Sequence, residues 1–313
     1  MTCFEPSYIE TFRMGLLRDK VDKAREMLRS CTLCPRECRV DRLSDRRGIC
    51  RTGKNAPLHC YKTHLGDEPS LVGKAGSGAF FFTQCNLLCI FCMNYEMSHD
   101  GHGREISDAE MADMMLTLQN LGCLNIHFIT PTHVMPQILS ALEIAVGKGL
   151  RIPLVYNSSG YENVEALRLL EGVIDIYMPD FKFWDPDVSE KLCRARDYPE
   201  KARKAILEMH RQVGDLVIDE SSGMARRGLL LRHLLMPCGM AGTRDIMRFV
   251  AREISPNTYV NIMPQFKPLG RSHKIKELLQ PISEEEYAEA LRAAREEGIE
   301  RIEKRPGLVF MGF

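Results

Sequence analysis

Three cysteines, Cys85, Cys89 and Cys92, lie within one short run of the chain. They follow an apolar stretch, Phe80–Phe82, that has the composition of a β-strand. Three thiolates are one too few for a closed structural zinc site, but they can hold three corners of an iron-sulfur cube and leave one iron open. The spacing therefore predicts a 4Fe-4S cluster whose open iron binds a further molecule.

A second group of cysteines precedes the first. Its members are Cys31, Cys34, Cys38 and Cys50. Four thiols in a segment without helical or strand periodicity are enough for a four-thiolate Zn site or for a second 4Fe-4S cluster. Spacing alone leaves both open, and we favour the iron-sulfur cluster. Cys60 is a spare candidate ligand for this group. The remaining cysteines are interpreted as structural or incidental, namely Cys3, Cys123, Cys193 and Cys238, although Cys238 follows a predicted strand and could face a cavity.

Composition limits the class of protein. The 313 residues carry 42 Lys and Arg against 42 Asp and Glu, so a nucleic acid or a membrane surface is not the expected partner. We find neither a signal sequence nor an apolar run of bilayer length, which predicts a cytoplasmic protein. In a long chain of this kind, twelve cysteines indicate metal binding rather than disulfides.

From position 78 onward, short apolar runs alternate with amphipathic helical patterns, as in consecutive βα units. The predicted strands are 79–83, 124–129, 152–156, 174–178, 229–235 and 258–263. The predicted helices are 107–121, 134–147, 162–171, 187–212, 243–254 and 283–297. Two of these helices start at capping boxes, because Ser107 and Ser283 each stand three residues before a glutamate. The pattern predicts an α/β fold, a partial (β/α)6 barrel of the TIM type, with its site at the carboxyl ends of the strands.

We expect three parts along the chain. Residues 1–77 contain an N-terminal helix, about 8–30, and the cysteine-rich metal-binding segment. Residues 78–266 form the partial barrel, and residues 267–313 form a C-terminal loop, a helix and a tail. Polar residues follow four of the predicted strands, where a barrel enzyme would need them.

The C-x3-C-x2-C spacing, with Phe91 before its last cysteine, resembles the signature of the radical S-adenosylmethionine (SAM) superfamily. Longer segments resemble its PflX branch, which is similar to the pyruvate formate-lyase activating enzyme. They are CTLCPREC from position 31, GSG from 76, NIHFITPTH from 125, VYNSSGY from 155, DIYMPDFK from 175 and NIMPQ from 261. The resemblance implies that the open iron binds SAM, with Phe91 near the adenine.

The same resemblance implies roles for further residues. Asn94, Asp180 and Lys182 would contact SAM or shape its pocket. Asn157, Ser158, Met178 and Asp180 would stand where relatives bind a monovalent cation. Thr130, Thr132 and His133 replace a Gly-Gly-Glu run that many superfamily members use to hold the methionine amino group, so they are our hypothesis for that contact. Independently of the resemblance, Arg232 near the end of a predicted strand could act as a fork for a carboxylate.

The implied function is that of a radical SAM oxidoreductase, in which Cys85, Cys89 and Cys92 carry the catalytic cluster. Such an enzyme cleaves SAM reductively to methionine and a 5′-deoxyadenosyl radical, which takes a hydrogen atom from the substrate. The expected partners are a flavodoxin- or ferredoxin-type reductant and an unknown protein or small-molecule substrate, with an activase-like reaction on a glycine as one form. Two alternatives stay open: an iron-sulfur electron-transfer protein without SAM chemistry, and a zinc-stabilised binding module.

Overall fold

Nine strands join in one sheet in the computed structural model, which describes residues 4–303. They are β1 (Ala56–His64), β2 (Ser77–Phe82), β3 (Arg104–Ile106), β4 (Ile126–Ile129), β5 (Leu154–Ser158), β6 (Ile176–Pro179), β7 (Val217–Ile218), β8 (Ala225–Leu234) and β9 (Tyr259–Met263). Six of them, β2, β4, β5, β6, β8 and β9, pair in parallel in chain order. These six are the six predicted strands, shifted by at most a few residues, and the predicted α/β fold is confirmed.

Helices lie before, between and after the parallel strands. They are α1 (Ser7–Arg13), α2 (Leu16–Glu26), α3 (Pro69–Val72), α4 (Asp108–Asn120), α5 (Met135–Gly147), α6 (Val164–Arg168), α7 (Pro186–Cys193), α8 (Tyr198–Val213), α9 (Thr243–Phe249) and α10 (Glu284–Glu296). Shorter 3-10 or π-helical turns occupy 96–100, 132–134, 237–239, 250–254, 272–274 and 276–279. Both predicted capping boxes are present, at the starts of α4 and α10. No helix of residues 4–303 is long and apolar enough to cross a membrane.

Two predicted helices are each divided in the structure. The N-terminal helix predicted over 8–30 is interrupted at Gly15, whose φ of 74° lies in the left-handed region that glycine adopts without steric cost. The helix predicted over 187–212 is interrupted at Arg194, which has a φ of 50°. Periodicity alone did not separate the two halves in either case, because the apolar spacing continues across the break.

Strands β1, β3 and β7 were not predicted. β1 lies inside the cysteine-rich segment and pairs antiparallel with β2, so the sheet extends across the boundary that we predicted at residue 77. Its outer positions include the charged or polar residues His59, Lys62 and His64, and they hide the alternation expected of a strand. The predicted C-terminal part reaches beyond the described residues, since 304–313 lie outside them.

The central strands are buried on both faces. Every residue of β5 and β6 is buried, as expected for parallel strands that helices cover on one side. The carboxyl ends of β2, β4, β5, β6 and β8 consequently lie along one edge of the sheet. The loops that leave this edge carry the residues considered next.

Candidate functional site

The first cysteine group occupies the loop that leaves the carboxyl end of β2. The loop bends at Gln84 and Leu88, which have φ angles of 68° and 58°. Non-glycine residues adopt this left-handed region at a cost of the order of 1–3 kcal/mol each, so the surrounding contacts must hold them there. Cys89 is buried, whereas Cys85 and Cys92 are half-buried. The loop thus presents three thiols on one side of the sheet edge.

Neighbouring backbone fixes the position of this loop. The amide of Ile90 donates to the carbonyl of Leu192 at 3.0 Å, and the carbonyl of Ile90 accepts from the amide of Arg271 at 2.6 Å. The amide of Gln84 donates to the carbonyl of Met97 at 2.8 Å. These bonds reach three separate parts of the chain, so the three cysteines are held without metal–ligand bonds having to order the loop.

Burial and mutual charge effects raise the pKa values of the thiols in this loop. Burial and then the charges of Cys89 and Cys92 together raise the pKa of Cys85 to about 12. Burial also raises the pKa of Cys92. Because the thiols raise one another's pKa, their sulfurs lie close together. A metal cation bound among them would lower these pKa values, since metal coordination deprotonates a thiol. Thiolates are also the ligands that iron-sulfur clusters take.

The number of ligands points in the same direction. A structural zinc site is closed by four ligands. A 4Fe-4S cluster takes each thiolate on a different iron, so Cys85, Cys89 and Cys92 can hold three irons and leave the fourth open.

A buried charged network lies beside this loop. Asp180 accepts a hydrogen bond from Lys182 Nζ at 2.6 Å and another from Arg232 Nε at 2.9 Å. Arg232 Nη2 also donates to Asn157 Oδ1 at 2.8 Å. The charges of Lys182 and Asp180 both act on the thiol of Cys89, which places the network next to the cysteine loop.

The network keeps its charges despite burial. Burial raises the pKa of Asp180, but the positive charges of Arg232 and Lys182 outweigh that effect and hold it below its usual range. Burial likewise lowers the pKa of Lys182, yet the Asp180 carboxylate more than offsets this and raises it overall. Lys182 and Arg232 thus stay charged in a partly dry pocket, where the carboxylates of Glu68 and Asp67 also act on Arg232.

Arg232 changes the interpretation of the predicted cation site. Its guanidinium binds the side-chain oxygens of Asn157 and Asp180, two of the groups that we expected to hold a monovalent cation. Ser158 is fully buried, and its hydroxyl accepts from the amide of Gly160 at 3.2 Å. The monovalent cation therefore stays a prediction, and the guanidinium of Arg232 is the alternative source of positive charge at these oxygens.

Gly160 allows the loop after β5 to lie close to the loop after β6. Its φ is 75°, and a Cβ atom at this position would lie 2.4 Å from the carbonyl oxygen of Asp180. A larger residue would therefore push away the backbone that carries Asp180. The hydroxyl of Tyr198 donates to that same carbonyl at 3.0 Å and fixes it from the other side.

The three predicted site residues after β4 differ in how deeply they are buried. Thr132 is buried and donates to Glu162 Oε1 at 2.5 Å, while His133 is buried and its Nε2 lies 2.8 Å from the carbonyl oxygen of Thr83. Burial lowers the pKa of His133 to about 4, so its ring is neutral. Thr130 is half-buried and is the member of the three with an accessible side chain.

Phe91 and Asn94 also differ in exposure. Phe91 is buried and its ring packs against Phe183 and Phe266, each with a centroid separation of 6.0 Å. These two aromatic residues follow β6 and β9, so an apolar wall spans the cysteine loop and the far strands. Asn94 is exposed, and its side chain is free to meet a ligand.

Sequence reasoning missed a buried acidic pair near the same strands. Asp67 and Glu68 precede α3; Asp67 Oδ2 lies 2.8 Å from His127 Nδ1, and Glu68 Oε1 accepts from Asn261 Nδ2 at 2.6 Å. Burial raises the pKa of Asp67, but His127 and then Arg232 overcome this and lower it to about 2. An acidic pair directly before Pro69 was the available signal, although such a pair is common at helix starts.

A buried carboxyl was missed as well. Glu162 lies under Thr132 and accepts a 3.3 Å hydrogen bond from the hydroxyl of Tyr156. Burial raises its pKa to about 8, although its hydrogen bonds oppose the shift. The sequence offered no signal for it, because a single Glu after a turn is normally an exposed residue.

The four cysteines of the second group are also brought together, since Cys31, Cys34, Cys38 and Cys50 line one cavity. Cys193, which we interpreted as structural, has its sulfur 3.4 Å from that of Cys89. Cys238 is exposed, and its backbone amide donates to Glu286 at 2.9 Å.

Comparisons with known proteins agree with this site. The radical SAM superfamily model matches residues 80–224, which include the first cysteine group, Asp180 and Lys182. An uncharacterized protein of Methanocaldococcus jannaschii is 29% identical over 309 residues, covering 96% of this chain and 84% of that protein.

Two solved structures are similar to the chain at low identity. A radical SAM methyltransferase from Sphaerobacter thermophilus has a TM-score of 0.48 at 17% identity, over 71% of this chain and 64% of that one. A radical S-adenosylmethionine methyltransferase from Kitasatospora setae, with cobalamin and a 4Fe-4S cluster bound, has a TM-score of 0.46 at 14% identity, over 65% and 40%. The chain spans less than two thirds of either structure. From the cysteine loop and the matched residues, we conclude that residues 80–224 of this chain are similar to the radical SAM superfamily.

Proposed function

We propose that this chain is a radical SAM enzyme that cleaves SAM reductively and abstracts a hydrogen atom from a substrate. The observation that carries the proposal is the cysteine loop at the end of β2 with the charged pair Asp180 and Lys182 beside Cys89. Three thiols without a fourth from the same loop leave one iron for a ligand. We also propose that the six parallel strands curve into a partial (β/α)6 barrel whose mouth holds this site.

In this proposal Cys85, Cys89 and Cys92 hold the 4Fe-4S cluster. When bound, the cluster supplies the electron that splits SAM into methionine and a 5′-deoxyadenosyl radical. The protein has to orient SAM and keep water and other hydrogen donors away from the radical. The buried aromatic residues Phe91, Phe183 and Phe266 supply such a dry wall, because they carry no hydrogen-bonding groups.

The polar part of SAM has matching groups on the same edge. We assign the methionine carboxylate to Lys182 and Arg232, the two cations that bind Asp180 at this edge. The exposed Asn94 and the half-buried Thr130 are the residues that we assign to its amino group and ribose. Thr132 and His133 are already engaged in hydrogen bonds, so we assign them a supporting role. His133 contacts the carbonyl of Thr83, two residues before Cys85, and thereby helps to position the cysteine loop.

The nature of the substrate is a finer proposal. We infer an activase-like hydrogen abstraction from a glycine of a partner protein, supported by the similarity of this sequence to the PflX branch. The reductant would be a flavodoxin or ferredoxin of the cytoplasm, because the cluster needs one low-potential electron for each SAM cleaved. The corresponding test is the glycyl-radical signal of pyruvate formate-lyase after incubation with the reduced enzyme and SAM. Formation of 5′-deoxyadenosine without that signal would point instead to another protein or a small molecule.

One observation favours a second candidate function, electron transfer without SAM chemistry. Cys193 places a fourth thiol beside Cys89. A fourth cysteine on the open iron would close the cluster to SAM. However, the two sulfurs are only 3.4 Å apart, which is too close for ligands of two different irons.

The decisive experiment is anaerobic reconstitution with iron and sulfide, followed by reduction and addition of SAM. We expect the electron paramagnetic resonance signal of the cluster to change with SAM and 5′-deoxyadenosine to form. Cys89→Ala should lose both, whereas the matched control Cys60→Ala, on β1 and outside both cysteine groups, should keep both. A cluster signal that does not change when SAM is added would support electron transfer. A chain that binds one zinc ion and no iron would support a zinc-stabilised module.

A further inference from the structure

The second cysteine group lies in a segment whose fold has no regular secondary structure. Between Cys31 and Cys50 the chain forms neither an α-helix nor a strand, yet Cys31, Cys34 and Cys50 are each only 8% exposed. Together with Cys38 they line a single cavity. Four thiols gathered in this way, in a segment with little apolar core, are typical of a metal centre.

A buried cation beside this cavity indicates that a group bound there would be negatively charged. The guanidinium of Arg42 is 1% exposed and lines the same cavity. It donates to the carbonyl of Gly53 at 3.1 and 3.0 Å, and its Nη1 lies 4.0 Å from Cys31 Sγ. No carboxylate of residues 4–303 forms an ion pair with it.

Burying such a cation without a counter-charge costs several kcal/mol, and arginine does not lose its proton. A metal centre held by four thiolates carries a net negative charge. It would supply the missing counter-charge next to Arg42.

The loop around Cys38 is shaped for a coordinating sulfur. The amide of Ile49 donates to Cys38 Sγ at 3.3 Å. Gly48 packs so closely that a Cβ atom there would lie 2.6 Å from the same sulfur. Amide hydrogen bonds of this kind stabilise a thiolate and tune a cluster. Only glycine allows the backbone to approach a sulfur this closely.

Four thiolates suit two kinds of metal centre. The four cysteines surround one cavity. They can hold a four-thiolate zinc ion or a 4Fe-4S cluster, and the experiment below distinguishes the two. We propose that Cys31, Cys34, Cys38 and Cys50 bind a second 4Fe-4S cluster, whose charge is balanced by Arg42.

The experiment removes the first cluster and asks what is left. In the full chain carrying Cys85→Ala, Cys89→Ala and Cys92→Ala, anaerobic reconstitution should leave about four irons and four sulfides per chain. The visible and Mössbauer spectra of this cluster should not respond to SAM. Adding Cys34→Ala and Cys50→Ala should abolish it, whereas adding the matched control Cys60→Ala and Cys123→Ala should not.

Two results would overturn the proposal. The first is one zinc ion and no iron in the triple variant, and the second is no metal at all in a triple variant whose circular dichroism is that of the folded chain. If that variant does not fold, the unaltered chain decides, because it should contain about eight irons, and about four would be too few for two clusters. Loss of SAM cleavage in the unaltered chain would contradict the proposed function and leave this centre untouched.

Discussion

Arg36, which stands between Cys34 and Cys38, donates a 3.0 Å hydrogen bond through Nε to the carbonyl oxygen of Asn86, between Cys85 and Cys89. Its Nη2 also donates to the carbonyl oxygens of Leu87 at 3.3 Å and Cys193 at 2.8 Å. One side chain therefore joins the two cysteine groups. We therefore expect the loss of this side chain to affect the loop that carries the first group.

This contact predicts that Arg36→Met weakens retention of the first cluster. Hydrogen bonds from a charged donor contribute about 1.5–3 kcal/mol each, and methionine has similar length but no donor. We expect iron to leave the reconstituted variant several times faster during anaerobic dialysis against a chelator. The matched control is Arg39→Met, because Arg39 is exposed and its side chain bonds only Glu37 among the described residues. Equal rates of loss in the two variants would contradict the prediction.

The position of Arg232 predicts that SAM cleavage needs no monovalent cation. Replacing potassium by tetramethylammonium should change the rate of 5′-deoxyadenosine formation by less than about twofold, since the guanidinium already binds Asn157 and Asp180. Arg232→Met should reduce that rate strongly and cost about 3–5 kcal/mol of stability, because it leaves Asp180 short of a partner. A strict requirement for potassium in the unaltered protein would restore the cation site.

Glu162 predicts a loss of stability as the pH rises. Its pKa is raised by burial from 4.5 to about 8 in the folded chain. Between these values the unfolded chain gives up the proton and the folded chain retains it, so the stabilising contribution is complete below pH 4.5 and is lost as the pH approaches 8. Glu162→Gln has no proton to lose. The thermal midpoint of the unaltered protein should therefore fall more than that of the variant between pH 6 and 8, by about 2 °C for each kcal/mol. Parallel curves for the two proteins would refute this.

Cys193 predicts a distinction between the two candidate functions. If it only packs against Cys89, Cys193→Ser should keep the SAM-dependent change of the cluster signal and most of the 5′-deoxyadenosine. If it ligates iron, the unaltered protein should bind SAM poorly and the variant should bind it better. Electron paramagnetic resonance of both proteins with and without SAM separates these outcomes, and Cys89→Ser serves as the variant that must lose the cluster.

Local signals in the sequence were sufficient for the α/β class and the six parallel strands. Apolar runs such as 152–156 and capping residues such as Ser107 and Ser283 act within one turn or one strand, so they can be recognised without tertiary contacts. β1 was not predicted because its exposed face carries polar residues. The helix break at Gly15 was not predicted because glycine in a helical pattern does not by itself end a helix.

The site was predictable only where spacing carries the chemistry. Cys85, Cys89 and Cys92 lie on one loop, so their grouping is visible in the sequence. Asp67, Glu162 and Cys193 reach the site from distant parts of the chain, and their pairing with His127, Thr132 and Cys89 depends on tertiary packing. Arg232 was identified as a fork, but its partners became visible only when β8 and β6 were placed side by side.

The contact between Cys89 and Cys193 also bears on how the protein withstands air. Once iron has left, two neighbouring thiols can be oxidised to a disulfide, with their two electrons and two protons passing to the oxidant. Such a bond would protect Cys89 from irreversible oxidation to the sulfinic and sulfonic acids, at the expense of a cluster ligand. Air-exposed protein should then regain its iron only after a thiol reductant, and the lesion would be reversible rather than terminal.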